Sequence, residues 1–588
     1  MKIAKLNTNT ALPAFRWNYT NSTFIYTNDT HGMLSNLPYM ISGINQKQKE
    51  LKDKYPITLS AGDEVMYINK LNPKLESKRK DILIKLFNAM KLDAMTLGNH
   101  ELDSGLQSVA DVIKMAKFKL ISTNAKIEGT PLEETAQSGK LVKSYILENK
   151  DGQKYGILGV LPIDEFSSEV SGETGDLIAG VPIDYYGSKD EIRARVNERY
   201  EKTLNRLQKE INKLEDKGIN KIVLLSHLGY EKDIKIVKDK RINGVDIIIG
   251  GHSHDRLNAF VYEGDPSGQT NVFRTPEGKP IIITQAGSNA DKFGVLDIFF
   301  DKQGVIATDK SGEIKGSNEL LDSQDFDINP KIDKLVKTLI YDAFKDTAAI
   351  GIINETIRPI TTRNRENTLV TAMLDGFIEM AAEKGMDGIK DLDFAMMHSS
   401  AIKGNLQKGV LNEGQLSLAF SFVRPFYNVK ASEKQIVDTI NYMLIKGNLI
   451  GKNDIPQFSS KIKYEITQTT HENGKKTLDL SKLFIGEKEV DIKNPGDKKK
   501  YNMAVDELYT DTNYFGDAFN PPQGQSAKTC NAENGKPLDI VKSLADYLRN
   551  HHVDSQTGEL NFDTEPKNIS IIEITKNQSS DKKLSYVA

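Results

Sequence analysis

Five short segments of the chain carry polar side chains of the kinds that bind divalent metal ions. In chain order they are Asp29-Thr30-His31, Gly62-Asp63, Gly98-Asn99-His100-Glu101, Ser226-His227 and Gly251-His252-Ser253-His254. Each segment follows a run of apolar residues with the length and composition of a β-strand. Aspartate, asparagine and histidine without cysteine are the ligands of a hydrolytic metal centre rather than of a structural zinc site. The segments therefore predict a hydrolytic centre.

The spacing within the segments predicts how their side chains converge. Asp29 and His31 are two residues apart at a strand end, where alternate side chains point the same way, and His252 and His254 repeat that spacing. Asp63 has two oxygens and can bridge two ions. Any one piece alone more often forms a loop or holds a hydrogen-bonded histidine, but all five in order favour a single site. We expect that site where the carboxyl ends of the strands meet.

The elements that must position these segments are short strands that alternate with helices. β-Branched apolar runs followed by glycine, aspartate or asparagine predict buried strands over 23–26, 57–59, 94–97, 120–122, 155–161, 222–225, 245–249 and 281–284. Helical patterns over 78–90 and 107–117 lie between them, so the region predicts a layered α/β domain. A long charged helix over 188–217 is predicted to be solvated rather than to bind nucleic acid.

The rest of the chain predicts a second domain. We expect the first domain over 20–325, a linker helix within 326–349 and a smaller α+β domain over 350–576. The lysine-rich stretch 493–500 is predicted to be an exposed loop, and the tail over 577–588 to be polar and frayed.

Composition and charge limit the classes of partner that are expected, and the N-terminal residues bear on the compartment. The 588 residues carry a net charge of −3, so neither a nucleic acid polymer nor an anionic membrane surface is expected as a partner. The single cysteine, Cys530, excludes an intrachain disulfide framework and a cysteine-rich metal site. The sequence contains no run of about 18 apolar residues, so no membrane-spanning helix is predicted. Residues 1–20 lack the apolar core of a signal peptide, which predicts a cytoplasmic protein if Met1 is native. The oligomeric state stays open.

The five segments resemble those of the calcineurin-like metallophosphoesterase superfamily and, within it, of the 5'-nucleotidase family. The similarity extends from about Thr23 to Ile574, and Asn99-His100-Glu101-Leu102-Asp103 is similar to the family segment Asn-His-Glu-Phe-Asp. The resemblance implies an α/β fold, with a four-layered αββα sandwich followed by a linker helix and a smaller α+β domain. It also implies two divalent ions, zinc, manganese or similar, and a family that is often periplasmic or located at the cell surface. One ion would be held by Asp29, His31, Asp63 and His254, and the other by Asp63, Asn99, His227 and His252.

The resemblance also implies a mechanism. A metal-bound hydroxide would attack phosphorus and release phosphate. His100 would stand beside the ions and stabilise the charge that develops on the phosphoryl oxygens or the leaving group, while Asp103 orients its imidazole. The alternative for Asp103 is the N-cap of the helix that follows it.

Substrate-binding residues are implied mainly in the second domain. Segment 362–369, which includes Arg365, resembles the opening of the 5'-nucleotidase C-terminal domain. The segment Arg424-Pro425-Phe426-Tyr427-Asn428 resembles a Pro-Phe-Gly-Asn turn, in which the phenylalanine stacks on the base and the asparagine bonds to it. The alternative for Phe426 is a core aromatic beside a turn. In the first domain, Asn124 lies in a segment that resembles one near the metal site of the family. The alternative for Asn124 is a structural asparagine at the end of a strand.

Two further segments depart from the family pattern. His398-Ser399-Ser400-Ala401-Ile402-Lys403 stands in place of Asn-Gly-Gly-Gly-Ile-Arg, so Lys403 keeps a positive charge without the bidentate fork of arginine. Phe515-Gly516-Asp517-Ala518-Phe519 stands in place of Gly-Gly-Asp-Gly-Tyr, and Asp517 can still bond a ribose hydroxyl. The second stacking aromatic stays open among Tyr509, Tyr514 and Phe515. The metal site is thus predicted to be intact and the specificity pocket altered.

We therefore expect a metal-dependent phosphoester hydrolase that acts on a nucleoside 5'-monophosphate or a related nucleotide. The first alternative is the same chemistry on a 2',3'-cyclic nucleotide, a UDP-sugar or another small organic phosphate. The second is a non-catalytic module that retains the fold.

Overall fold

The computed structural model describes residues 19–66, 72–163, 176–183, 188–275, 277–358, 365–402, 404–420, 423–450, 455–471, 476–510, 528–575 and 584–587. The chain divides into two compact units. The first comprises the described residues up to Met66 and from Leu83 to Lys334, and the second comprises those from Asn72 to Ile82 and from Leu335 onward. The grouping of residues 72–82 with the second unit was not expected from the sequence.

Strands and helices alternate along the first unit. Its strands are β1 (Thr20–Thr27), β2 (Ile57–Ser60), β3 (Ala94–Thr96), β4 (Lys119–Ile121), β5 (Leu141–Val142), β6 (Ser144–Glu148), β7 (Lys154–Val160), β8 (Ile222–Ser226), β9 (Ile247–Gly250), β10 (Val272–Arg274), β11 (Pro280–Thr284), β12 (Lys292–Phe300) and β13 (Gly316–Asp322). Its helices are α1 (Leu37–Glu50), α2 (Pro73–Met90, which begins among residues of the second unit), α3 (Gly105–Met115), α4 (Glu133–Gln137), α5 (Lys189–Glu215) and α6 (Tyr230–Lys238). Short 3-10 helices lie at Lys52–Lys54, His100–Leu102 and Ser323–Asp325.

Two sheets face each other in this unit. One has the order β13-β12-β1-β2-β3-β4-β5 and the other the order β10-β11-β9-β8-β7-β6. Their facing sides share one core of buried side chains that includes Phe24, Leu59, Ile157, Val223 and Ile247. Helix α1 packs on β12, whereas α5 packs on β7 and α6 on β9 and β11. The layers therefore run helix, sheet, sheet, helix, which confirms the predicted αββα sandwich.

The strands that precede the five polar segments run parallel to one another within each sheet. Strands β1, β2 and β3 are parallel in the first sheet, and β8 and β9 are parallel in the second. Every residue of β2, β3, β8 and β9 is buried, as expected for parallel strands covered on both faces. Because parallel strands end at the same edge of a sheet, the turns after them are brought close together.

The second unit contains smaller sheets. Its described strands are β14 (Ala349–Ile353), β15 (Phe394–His398), β16 (Gly409–Asn412), β17 (Phe426–Ser432), β18 (Pro456–Phe458), β19 (Ile462–Thr470), β20 (Lys476–Ile485), β21 (Lys488–Glu489), β22 (Lys500–Asp506), β23 (Lys528–Thr529), β24 (Ile569–Thr575) and β25 (Leu584–Val587). Its described helices are α7 (Pro330–Phe344, which begins in the first unit), α8 (Thr368–Lys384), α9 (Glu413–Ser417), α10 (Glu433–Ile450) and α11 (Ile540–His551). Short 3-10 helices lie at Ser399–Ala401 and Glu507–Thr510.

The strands of the second unit form a pair, β14-β16, and two five-stranded sheets with the orders β18-β15-β22-β17-β23 and β21-β20-β19-β24-β25. Helix α8 packs on β15 and on α11, and α10 packs on β17 and β20. Buried residues of both five-stranded sheets and of α10 form one core. This unit is thus an α+β arrangement.

The structure corrects the predicted tail and adds five strands. Residues 584–587 form β25, which pairs antiparallel with β24, so the prediction of a frayed tail is wrong there. Strands β5, β6, β10, β12 and β13 were not predicted. Strands β5 and β10 have only two and three residues, and β6 and β13 are antiparallel edge strands with partly exposed residues, whereas β12 lies between β13 and β1 and is mostly buried. None of the described helices is long and apolar enough to cross a membrane.

Candidate metal centre

Five of the predicted ligands have left-handed backbone conformations. The φ angle is 50° at Asp29 and His31, 55° at Asp63, 75° at His252 and 60° at His254. Residues other than glycine avoid this region because their Cβ crowds the following carbonyl group. Such strain persists only where surrounding contacts hold it, and it concentrates at functional sites. The strand ends are thus bent into tight turns at the residues predicted to bind metal.

Hydrogen bonds hold these turns against one another. The N–H of Asp29 donates to Gly62 O and that of His31 to Asp63 O, both at 2.9 Å. The N–H of His252 donates to the Asp29 carboxylate, 2.9 Å from Oδ2. The close approach requires glycine at position 251, since a Cβ there would lie 2.8 Å from His227 Nδ1. The two sheets therefore bring their strand-end turns into one cluster.

The predicted ligand atoms face one another within this cluster. Asp63 Oδ2 lies 3.0 Å from His227 Nε2 and 3.8 Å from His31 Nε2. Asp29 Oδ1 lies 3.3 Å from His254 Nε2. These residues form three groups whose atoms lie within 4.8 Å of one another: Asp29 with His31 and His254, His31 with Asp63 and His100, and Asp29 with Asp63 and His227.

The last two predicted ligands face each other in the same way. His252 Nδ1 lies 3.0 Å from Asn99 Oδ1. All seven predicted ligands therefore lie in the cluster, on turns that follow β1, β2, β3, β8 and β9.

Hydrogen bonds on the far side of two imidazoles fix which nitrogen faces the cluster. His227 Nδ1 lies 2.7 Å from Ala61 O, and a proton on that nitrogen leaves Nε2 as the coordinating atom. His31 Nδ1 lies 3.4 Å from Asn289 Oδ1, with its Nε2 turned to the carboxylates. Rings held in this manner are typical of metal-binding histidines.

The protonation states of Asp63 and His31 fit divalent cations. Burial alone would raise the pKa of Asp63, but the facing histidines, His227 first and then His100 and His31, together outweigh it and hold that pKa well below its usual range. Burial lowers the pKa of His31, which favours the neutral imidazole. Metal ligation needs an ionised carboxylate and a neutral imidazole. Oxygen and imidazole donors without thiolate suit hydrolytic ions such as zinc or manganese, so the residues present fit the implied group.

His100 and Asp103 form a pair at the rim of the cluster. His100 Nδ1 lies 2.8 Å from Asp103 Oδ2. Burial alone would lower the pKa of His100, but the Asp63 and Asp103 carboxylates outweigh it and raise the pKa to about 9. The N-cap of α3 is Ser104 rather than Asp103, so the geometry favours the orienting role for Asp103 over the capping alternative.

Asn124 is fully buried, and its side chain bonds to the main chain of Leu161. Its Nδ2 donates to Leu161 O, and its Oδ1 accepts from Leu161 N, both at 2.9 Å. Both polar ends of the amide are therefore occupied by one neighbouring residue. The arrangement favours the strand-end alternative over a substrate contact.

In the second unit, the ring of Phe426 belongs to the core. Its exposed fraction is 1%, and it stacks on Phe377 with the ring centroids 4.6 Å apart. Asn428 Nδ2 donates to Asn502 Oδ1 across the sheet at 2.7 Å. The burial of the ring favours the core-aromatic alternative for Phe426, and the base-stacking role stays a prediction.

The structure describes only some of the other candidate substrate-binding residues. Arg365 is exposed, and its carbonyl oxygen accepts from Gln457 Nε2 at 3.3 Å. Tyr509 is fully buried, which removes it from the proposed stacking aromatics. Lys403, Asp517, Tyr514 and Phe515 lie outside the described residues.

Sequence reasoning missed several residues that support the cluster. Asn28 donates to Asp29 Oδ2 at 2.7 Å and to Gly287 O at 2.8 Å. Asn289, at a φ of 60°, faces His31. The available signal was the run Gln285 to Asn289, since polar residues and glycine directly after strand β11 repeat the pattern of the other ligand turns.

Comparisons with known proteins identify relatives. The profile of the calcineurin-like phosphoesterase family matches residues 22–256. The sequence is 24% identical to the trifunctional nucleotide phosphoesterase protein YfkN of Bacillus subtilis over 71% of this chain and 27% of that protein. It is 24% identical to the NAD 5'-nucleotidase of Haemophilus influenzae over 88% of this chain and 86% of the relative. The crystal structure of a 5'-nucleotidase precursor from Thermus thermophilus is similar, with a TM-score of 0.59 and 19% identity over 94% of this chain and 99% of that one.

The extent of these matches differs between relatives. The chain spans 27% of the length of the Bacillus protein and 50% and 39% of the lengths of two further curated relatives. The similarity to the Thermus structure shows that the two chains share a fold.

Proposed function

We propose that this chain, which carries a calcineurin-like phosphoesterase domain over residues 22–256 and is related to the 5'-nucleotidases, is a metal-dependent hydrolase that releases phosphate from nucleoside 5'-monophosphates or related nucleotides. The proposal also assigns two divalent ions, zinc or manganese, to the seven ligands named above. It assigns nucleoside recognition to the second unit, where Arg365, Lys403, Asn428 and Asp517 are candidates for polar contacts and Tyr514 and Phe515 for stacking.

One observation carries the proposal. Seven oxygen and nitrogen donors from five strand-end turns converge, and five of the seven residues stand at positive φ. A buried core has no need for histidines and carboxylates in strained turns, and burying charged groups costs free energy unless they are paired or bind a metal. The seven ligands would hold two divalent ions, which when bound would supply Lewis acidity for the phosphoryl oxygens and for a water whose pKa would fall toward about 7.

The residues beside the cluster supply the rest of the chemistry. The His100 imidazole lies close to His31 and Asp63, and its pKa of about 9 keeps it protonated near neutral pH in the metal-free protein. A protonated imidazole stabilises the negative charge that develops on a phosphoryl oxygen or on the leaving oxygen. Asp103 keeps that ring in one orientation through Nδ1.

A substrate panel tests the proposal. Metal-free protein is supplied with manganese, zinc or magnesium. Phosphate release is measured from AMP, UMP and an aryl phosphate, and the formation of a nucleoside monophosphate from 2',3'-cyclic AMP and UDP-glucose is followed by chromatography. We expect release from the 5'-monophosphates, loss of activity with a chelator, and recovery when the metal is returned. Protein that binds two ions but releases no phosphate from any compound would contradict the proposal.

A further inference from the structure

The carboxylate of Glu101 is enclosed by main-chain N–H groups of two strand-end turns. The side chain is buried, with an exposed fraction of 6%. Its Oε1 accepts from the N–H groups of Glu64 at 2.8 Å and Val65 at 2.9 Å. Its Oε2 accepts from those of Asp63 at 3.0 Å and Gly98 at 2.7 Å. Four donors converge on one carboxylate, and three of them are consecutive in the chain.

Consecutive N–H groups converge on one point only where the backbone is sharply bent. The φ of 55° at Asp63 produces such a bend in the turn after β2. Concave turns of this type bind anions, because successive N–H groups point to the same side. An anion there stabilises the turn by giving acceptors to buried N–H groups that would otherwise lack them. Glu101 supplies that anion from within the chain.

The turn after β3 receives a hydrogen bond in return. The N–H of His100 donates to Asp63 Oδ1 at 2.8 Å. The two turns also approach closely at Gly98, where a Cβ would lie 2.1 Å from Asp63 Oδ1. With Oδ1 held in this way, Asp63 Oδ2 faces His227 Nε2. The direction of the Asp63 carboxylate therefore depends on the contact between turns that Glu101 closes.

We propose that Glu101 is a positioning residue of the metal centre, which sets the affinity for ions by holding the Asp63 turn in its left-handed conformation. Its oxygens bond to main-chain N–H groups and are not counted among the metal ligands. The inference rests on the proposed function, since it requires that the cluster bind ions. Residues that orient metal ligands commonly change ion affinity by about 10–100-fold when they are replaced.

Replacement of Glu101 by glutamine removes hydrogen bonds to the main-chain N–H groups without changing the size of the side chain. An amide has one acceptor oxygen, whereas both carboxylate oxygens of Glu101 accept two hydrogen bonds each. The amide NH₂ would face two N–H donors, so two buried N–H groups would lose their acceptor. The volume of the side chain hardly changes, which separates this effect from a cavity.

Glu366 offers a matched control in the second unit. Its buried Oε2 accepts from the consecutive N–H groups of Lys567, Asn568 and Ile569 at 2.8, 2.6 and 3.1 Å. Glu366→Gln thus replaces a similar buried carboxylate in the other compact unit. Because its three N–H donors share one oxygen, the amide oxygen can keep all three hydrogen bonds, so this variant controls for the loss of a buried carboxylate charge, and the stability of each variant, measured separately, controls for destabilisation.

The test is calorimetric titration of the metal-free full chain with Mn²⁺, with the stability of each variant measured in chelator. We expect wild type and Glu366→Gln to bind two ions each, with the same affinities in both proteins. Glu101→Gln should bind at least one ion about 10–100-fold more weakly than wild type. Glu101→Asp keeps both oxygens on a shorter side chain, and its affinity should be lower than that of wild type by about tenfold.

The outcomes separate this inference from the proposed function. Wild-type affinity in Glu101→Gln overturns the inference, and so does an equal loss of affinity in Glu366→Gln. If Glu101→Gln does not fold in chelator, Glu101→Asp decides, and wild-type affinity in that variant overturns the inference. A wild-type chain that binds no Mn²⁺ contradicts the proposed function itself.

Discussion

The strand-end turns of the first unit and strand β17 of the second both match family segments, but their side chains are used differently. In the turns, Asp29, His31 and Asp63 lie at positive φ and face other polar side chains across the cluster. In β17, Phe426 pairs in register with Asp506 and points into the core. The first set can meet a ligand, whereas Phe426 already has its contacts within the protein.

The backbone conformation around a motif thus decides whether its side chains can meet a ligand. A residue in a strained turn after a parallel strand projects beyond the end of the strand, where few protein groups can bond to its side chain. A residue inside a strand alternates between the two faces, and one of these faces is the core. A match to a family segment therefore indicates a ligand-binding residue more strongly in a strand-end turn than inside a strand. Variants at Asp63, His100, Phe426 and Asp375 test this contrast.

Asp63→Ala should reduce kcat/KM for a nucleotide by about three decades or more and remove bound metal, because Asp63 Oδ2 faces ligands of both predicted ions. Metal content by mass spectrometry and phosphate release measure both effects. Asp246→Asn is the control, since Asp246 accepts from Ile222 N at 2.8 Å at the far end of the strands. Full metal content in Asp63→Ala would mean that the cluster is not assembled around this residue.

His100→Asn should lower kcat by about two to four decades and leave the metal content intact, because His100 is predicted to act on the phosphoryl group rather than on the ions. The same steady-state assay and metal analysis apply. Activity within a few-fold of wild type would show that the assigned role is wrong.

Phe426→Ala should lower the free energy of unfolding by about 3–5 kcal/mol, because it empties a buried site that stacks on Phe377. Phe426→Leu fills most of that volume and should cost no more than about 1.5 kcal/mol. Denaturant unfolding measures both values, and KM for AMP in Phe426→Leu should stay at the wild-type value. A tenfold rise of KM with unchanged stability would restore the base-stacking role.

Asp375 should act through stability alone and show a pH dependence. Burial raises its folded pKa to about 6, above the ordinary value of a carboxyl group, while Ser460 N donates to Oδ1 at 2.7 Å. A raised carboxyl pKa contributes stability at low pH that is lost as the pH rises from about 4 through 6. Asp375→Asn should therefore gain about 1–2 kcal/mol over wild type between pH 4 and pH 7. Parallel unfolding curves of the two proteins across that range would rule this out.

Much of the first unit could be predicted from the chain alone. Strands β1, β2, β3, β4, β7, β8, β9 and β11 were expected within a few residues, because parallel strands buried on both faces are continuous apolar runs. The seven predicted ligands do meet in one cluster. Their roles as ligands stay a prediction, as do the domain boundaries and the roles of His100 and Asp103.

Local order and residue type are enough to predict which residues stand at the strand ends and that their donor atoms suit divalent ions. Contacts in the folded chain are needed to show that Glu101 bonds to the Asp63 turn, that Asn289 faces His31 and that Phe426 is a core residue. Each of these depends on segments far apart in the chain: 38 residues separate Asp63 from Glu101, and 258 separate His31 from Asn289. Local periodicity carries no record of such contacts, since packing and hydrogen-bond satisfaction choose the partners only when the chain is folded.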